Sequence, residues 1–193
     1  MTRTRLDRDT VVSAAEAIVD VDGWEYLTMT ALADKVGVRV PSLYNHVESI
    51  EALLGYVQIR ALAELGDDLQ RAAMGKAKRQ GVEALALALR EFAVRHPGRY
   101  ALAVSAPIDR PAIQAAGASA GAAMRAVLES YSVELLPELA YLCVSTLNGV
   151  IALDRSGLFR DSVRGDDVYD EAVAMVVALV ERAARTARNP EGK

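Results

Sequence analysis

The 193-residue chain holds one cysteine, two histidines and two phenylalanines, and aromatic residues make up only 5% of it. A single thiol, Cys143, cannot build an intrachain disulfide framework; it fits a reducing compartment, where it serves as a small buried hydrophobe. His46 and His96 lack the cysteines of a zinc site and the Glu-x-x-His pairing of a di-iron bundle. A Gly-x-Ser-x-Gly nucleophile turn is missing too, and the small-residue run "AAGASAGAA" lacks the Gly-Lys-Ser/Thr ending of a phosphate loop. An enzyme, a metal centre and a cofactor are therefore not expected. No apolar run approaches the roughly 20 residues that span a bilayer, and "MTRTRLDRD" leads into no secretory apolar core, so the expected location is the cytoplasm, with no membrane partner. An excess of positive charge is also absent. Net charge is −4, the isoelectric point is about 5.3, and residues 1–60 carry six basic against nine acidic side chains. Coating nucleic acid through bulk charge is excluded; any such contact has to be local and shaped.

What is present is a chain 52% hydrophobic and 25% charged, of mean hydropathy +0.13, able to bury a core. Alanine is frequent and alternation at period two is scarce, which predicts an all-α protein. Val11, Ala15 and Ile18, with Val12 and Val19, trace one face of a first helix over Asp9–Val21, stopped at Asp22-Gly23. Thr28 can cap a second helix reaching about Val36, and Gly37 can take the positive φ that ends it. Pro41 suits the first turn of a third helix, and Ser49 can cap a fourth that runs towards Met74. Beyond that, a helix ends near Arg95 at His96-Pro97-Gly98, a short apolar piece covers Tyr100–Ser105, and a helix restarts at Pro111. Two final helices are expected over about Pro137–Ser156 and Asp166–Ala187. The low-bulk stretch Ala115–Ala123 suits close helix packing, with a thinned ligand-cavity wall as the alternative.

The segment "ALADKVGVRVPSLYNHV" joins two short helices through a glycine turn, the layout in which a second helix enters the DNA major groove. Ala31, Leu32, Val36, Val38 and Leu43 supply a small core. Arg39, Val40, Ser42, Tyr44, Asn45 and His46 are left facing outward. Ser and Tyr hydroxyls donate to phosphates, Asn pairs with an adenine edge, and His donates to a phosphate or a guanine. Arg3, Arg5 and Arg8 form a leader ahead of the first helix, able to enter a minor groove as an arm.

The stretch "LTMTALADKVGVRVPSLYNHVESIEALL", Leu27–Leu54, resembles the DNA-binding segment of the TetR family of transcriptional regulators. The resemblance rests on the early threonine, the Ala-x-x-x-Gly-Val turn, Leu43-Tyr44, His46 and the downstream Leu53-Leu54, and it covers roughly the first 55 residues. It implies a three-helix helix-turn-helix domain over residues 1–50 and a C-terminal helical bundle over 51–193 for ligand binding and dimerisation. It further implies a homodimer that binds a palindromic double-stranded DNA operator as a repressor and is released by a small-molecule effector. Thr28, Tyr44 and His46 match positions the family uses on phosphates; Thr30, Val40, Ser42 and Asn45 match positions that face bases; Pro41 matches a frequent first-turn proline. Where the family usually has a lysine at the start of the fourth helix, this chain has Ile50, beside Glu48 and Glu51, which implies fewer phosphate contacts and a shallower salt dependence.

For the effector, Phe92, Tyr100, Val104, Met124 and Tyr141 are candidate cavity lining, an apolar set with tyrosine hydroxyls as anchors that suits a hydrophobic or amphipathic compound. For the dimer, Leu139, Leu142, Thr146 and Val150 on one helix and Val173, Val177 and Val180 on the next are candidates for an isologous four-helix contact, which a charge at Val150 or Val177 should dissociate. The competing reading is a helical protein-interaction module that keeps the helix-turn-helix core without binding specific DNA.

Overall fold

The computed structural model describes residues 6–131, 137–159 and 162–188. The elements are α1 (Arg8–Asp22), a 3-10 turn (Trp24–Tyr26), α2 (Met29–Val36), α3 (Val40–Leu43), α4 (Ile50–Ala73), α5 (Lys78–Arg95), α6 (Pro97–Ala103), α7 (Arg110–Ala116), α8 (Ala118–Glu129), α9 (Pro137–Arg155) and α10 (Gly165–Arg188). Among the described residues there is no strand, as the composition predicts. The chain forms two compact units. The first holds Met1–Leu65 and Phe92–Ala118, the second Gly66–Glu91 and Ser119–Lys193.

Local chemistry accounts for the N-terminal elements. The Asp7 carboxylate accepts from the Thr10 N–H at 2.8 Å and caps α1. That hydrogen bond, more than the lesser influence of His46, holds the Asp7 carboxyl below its ordinary 3.8. Gly23, at φ +98°, ends α1. The Thr28 hydroxyl accepts from the Ala31 N–H at 3.1 Å, Gly37 closes α2 in the left-handed region at φ +72°, and Ser49 accepts from the Ala52 N–H at 3.1 Å to open α4. Leu32, Leu43, Leu53 and Val57, all fully buried, join Val11, Ala15 and Val19 of α1 in one core.

Two departures from the expected elements lie further along. Pro97 does not merely break a helix: it occupies the first turn of α6, so the expected apolar piece is itself helical and the interruption narrows to His96. The helix expected to run unbroken from Pro111 is divided at Gly117 into α7, capped by Asp109 through the Ala112 N–H at 3.2 Å, and α8.

In the first unit, α6 is clamped to α1 and α4 by polar groups. Arg99 Nε donates to Asp20 Oδ2 at 2.7 Å, its backbone N–H to Asp20 Oδ1 at 3.0 Å, and Nη1 to Glu64 Oε2 at 2.7 Å. Glu16, nearly buried, lies 3.0 Å from Arg60 and 3.7 Å from Arg99. Burial pushes the Glu16 carboxyl above its ordinary value, and the two arginines oppose that. Gln58, fully buried, donates through Nε2 to Leu102 O at 2.9 Å and Ala106 O at 3.3 Å, and its Oε1 accepts from the Ile108 N–H at 3.1 Å. Gln58→Leu keeps the volume but takes the acceptor from the Ile108 N–H, while Leu102 O and Ala106 O keep donors from Ser105. A loss of about 2 kcal/mol is expected, read as a lower urea midpoint at unchanged slope.

In the second unit, α9 packs against α10, and Leu139, Leu147, Ile151, Val176, Val177 and Val180 on these two helices are buried, each no more than 7% exposed. Tyr169 donates to Ala86 O at 2.7 Å. A Cβ on Gly66 would lie 2.8 Å from the Ser119 Cβ, so the small residues at the start of α8 serve close packing against α4. Close helix packing, as expected of Ala115–Ala123, is thus seen at Ser119 and Ala120.

Candidate nucleic-acid interface

Two residues seat α3 on the head: Leu43, 0% exposed, and Val47, 1%. The His46 and Val47 N–H groups both donate to Leu43 O, at 2.8 and 3.1 Å, so the chain leaves α3 through one tight turn. With Leu43 and Val47 pointing in, the intervening backbone turns Tyr44 and Asn45 outward. Tyr44 is 54% exposed. Arg39, Pro41 and Asn45 are exposed, and Val40, Ser42 and His46 half-buried. Thr28 and Thr30, at the start of α2, are exposed. All nine expected positions from Thr28 to His46 therefore fall on the α2–α3 segment with their side chains at least partly accessible. Arg3 and Arg5 lie outside the described residues.

Arg8 is placed differently from the expected leader. It opens α1, its Nε donates to His46 O at 3.0 Å, and its guanidinium stands 5.1 Å from the centre of the Tyr56 ring. Ile50 is half-buried and packs against the head core, which explains its apolar character where a phosphate-reaching lysine was the alternative. The neighbouring acids are engaged locally. Tyr56 donates to Glu48 at 3.4 Å, and the Glu51 carboxyl, in the first turn of α4, sits below its ordinary 4.5 through its own N–H and then Ser49.

Residues 82–187 match the family model described as "Tetracyclin repressor-like, C-terminal domain". An HTH-type transcriptional regulator of Mycobacterium tuberculosis, Rv0681, is 36% identical over 184 residues, covering 92% of this chain and 83% of its own length. The chain belongs to the TetR family of transcriptional regulators. Solved TetR-like structures share its fold. Apo ActR from Streptomyces coelicolor aligns with a TM-score of 0.67 at 20% identity over 94% of this chain and 98% of its own. A TetR variant from Acinetobacter baumannii AYE, solved in complex with minocycline, aligns with a TM-score of 0.64 at 20% identity over 95% and 98%. As a TetR-family helix-turn-helix protein, the chain is a DNA-binding regulator.

The positions expected to serve effector and dimer are distributed as follows. Phe92, 0% exposed, and Tyr100, 3%, are core side chains of the first unit, where Val104 is half exposed. Met124, half-buried, and Tyr141, 73% exposed, belong to the second unit. The five residues thus do not share one compact unit, and Tyr141 is a surface residue of the protomer. Of the dimer set, Leu142 is exposed, Thr146, Val150 and Val173 are half-buried, and Leu139, Val177 and Val180 are buried. Those last three are therefore core residues of the second unit within the protomer, so a charge at Val177 would attack that core. A groove of about 430 Å³ runs beside them, lined by Thr146, Met175, Val176, Ala178, Leu179, Arg182 and Arg185. No helix among the described residues is long and apolar enough to cross a membrane.

Proposed function

We propose that this TetR-family protein is a repressor that binds a palindromic operator as a homodimer and is released by a small hydrophobic or amphipathic effector. Residues 1–50 read the DNA and residues 51–193 bind the effector and the partner. The observation that carries the DNA reading is the outward Tyr44-Asn45-His46 turn seated between buried Leu43 and Val47. Tyr44, His46 and Thr28 meet phosphates, while Thr30, Val40, Ser42 and Asn45 face bases, with Arg39 and Pro41 at the helix start.

The dimer reading is supported by the exposed apolar side chains on α9 and α10, among them Leu142 at 55% and Met175 at 66%, beside the groove containing Thr146. A two-fold dimer presents two recognition helices to two half-sites. The minocycline complex of the A. baumannii neighbour supports an effector of small-molecule kind. Such a compound acts only through unequal affinity for the DNA-binding and released arrangements, so it shifts the population between them.

The test is selection of duplexes from a random library at moderate salt, followed by titration of Tyr44→Ala/His46→Ala on the selected sequence. Wild-type binding with at least ~100-fold loss in the variant is expected. Equal binding by both proteins, or no duplex selected even at low salt, would favour a helical protein-interaction module.

A further inference from the structure

We infer that Arg8 is a positioning residue for DNA recognition, acting through the backbone at the end of the recognition segment without itself reading DNA; this rests on the DNA-binding role of α3. A basic residue in the first turn of a helix opposes the helix dipole, so its place there calls for a tertiary reason. The reason is geometric. Arg8 Nε donates to His46 O at 3.0 Å, across 38 residues of sequence. The guanidinium lies 5.1 Å from the centre of the Tyr56 ring on α4, and Nη2 stands 3.8 Å from Glu48 Oε1. Tyr56 in turn donates to Glu48 Oε2 at 3.4 Å. One side chain thus joins α1, the exit of the recognition segment, the α3–α4 loop and α4.

That exit needs an outside partner. α3 spans only Val40–Leu43, too short to hold its own shape through helical hydrogen bonds. Glycine, the usual residue for closing a helix, is absent from its end, where Tyr44 lies in the right-handed region. Tyr44, Asn45 and His46 follow on a turn closed by the His46 and Val47 N–H groups, which both donate to Leu43 O. Burial of Leu43 and Val47 fixes how that turn sits in depth. The hydrogen bond to His46 O adds a polar anchor on the side of α1, where a planar guanidinium can bond through its edge and stack through its face.

The experiment measures affinity for the duplex selected by wild type, across a salt series, for wild type, Arg8→Ala and Arg8→Lys, alongside amide hydrogen exchange over residues 44–48 and thermal melting. The expected result is about a fivefold loss of affinity for Arg8→Ala. The slope of log affinity against log salt should stay unchanged, with faster exchange at His46 and Val47 while α1 stays protected. Arg8→Lys, which lacks the planar fork, should recover less than half of the loss on a logarithmic scale. A slope reduced by about 1 per protomer would make Arg8 a direct phosphate contact and overturn the inference. A lowered melting temperature with unchanged affinity well below it would assign a merely structural role and also overturn it. If wild type selects no duplex, the DNA-binding reading fails on that result alone. Exchange then decides the anchoring by itself: unchanged rates at 46–47 in Arg8→Ala would overturn it.

Discussion

Gly98→Ala is expected to destabilise the protein by about 4 kcal/mol, an overpacking effect at the upper end of what single substitutions do. A Cβ at this position would stand 1.7 Å from Val19 O and 2.4 Å from the Val19 carbonyl carbon. These are backbone atoms in the last turns of α1, and the same carbonyl already accepts from the Gly23 N–H at 3.0 Å. Neither rotamer change nor local flexing removes the clash, so α6 must move away from α1. That movement breaks the Arg99–Asp20 hydrogen bonds one residue on. Melting should fall by roughly 10 °C for a chain of this size. Gly121→Ala is the matched control: nothing lies within 4 Å of the added Cβ, and its place within α8 favours alanine, so its stability should hold or rise slightly. Equal melting temperatures for the two variants would mean that α6 is not docked on α1.

A charge on either of two neighbours in α10 should have opposite kinds of consequence. Val177 is 0% exposed, so Val177→Asp buries an unpaired carboxylate in the α9–α10 core and is expected to cost more than about 4 kcal/mol, leaving insoluble or unfolded protein. Met175 is 66% exposed and lines the groove. For the proposed dimer, Met175→Asp should keep the helical circular dichroism and shift the scattering mass from twice that of the 20.7 kDa chain to that of one chain. A folded dimer of Met175→Asp would remove this groove from the dimer contact.

The difference between these two residues is also where sequence reasoning met its limit. Val173, Val177 and Val180 repeat at helical spacing, which marks an apolar stripe on α10. Met175, Ala178 and Leu179 are apolar as well, so hydrophobicity alone does not tell the stripe facing α9 from the stripe left outside. The helix-turn-helix was legible because its determinants are local: Thr28 and Ser49 cap through their own hydroxyls, and Gly37 takes a backbone conformation that other residues resist. Contacts across many residues were not. Gln58 lies between Val57 and Ala61 on the buried face of α4, and a polar residue at such a position signals a long-range partner without naming it. Gly98 carries no positive φ; its constraint is the approach of another helix, which its neighbours in sequence do not encode. Arg8 looked like part of a basic leader because Arg3 and Arg5 precede it, yet Asp7 caps the helix that Arg8 begins.

In the proposed complex, α3 reads DNA from two copies of this chain at once. Hydroxyl-radical footprinting on the selected duplex, with the binding stoichiometry measured in parallel, tests it most directly. Two protomers per duplex are expected, protecting two symmetric half-sites whose centres lie about one helical turn or a multiple of it apart, with protection lost in Tyr44→Ala/His46→Ala. A single protected patch at one protomer per duplex, or a footprint that survives the double substitution, would contradict it.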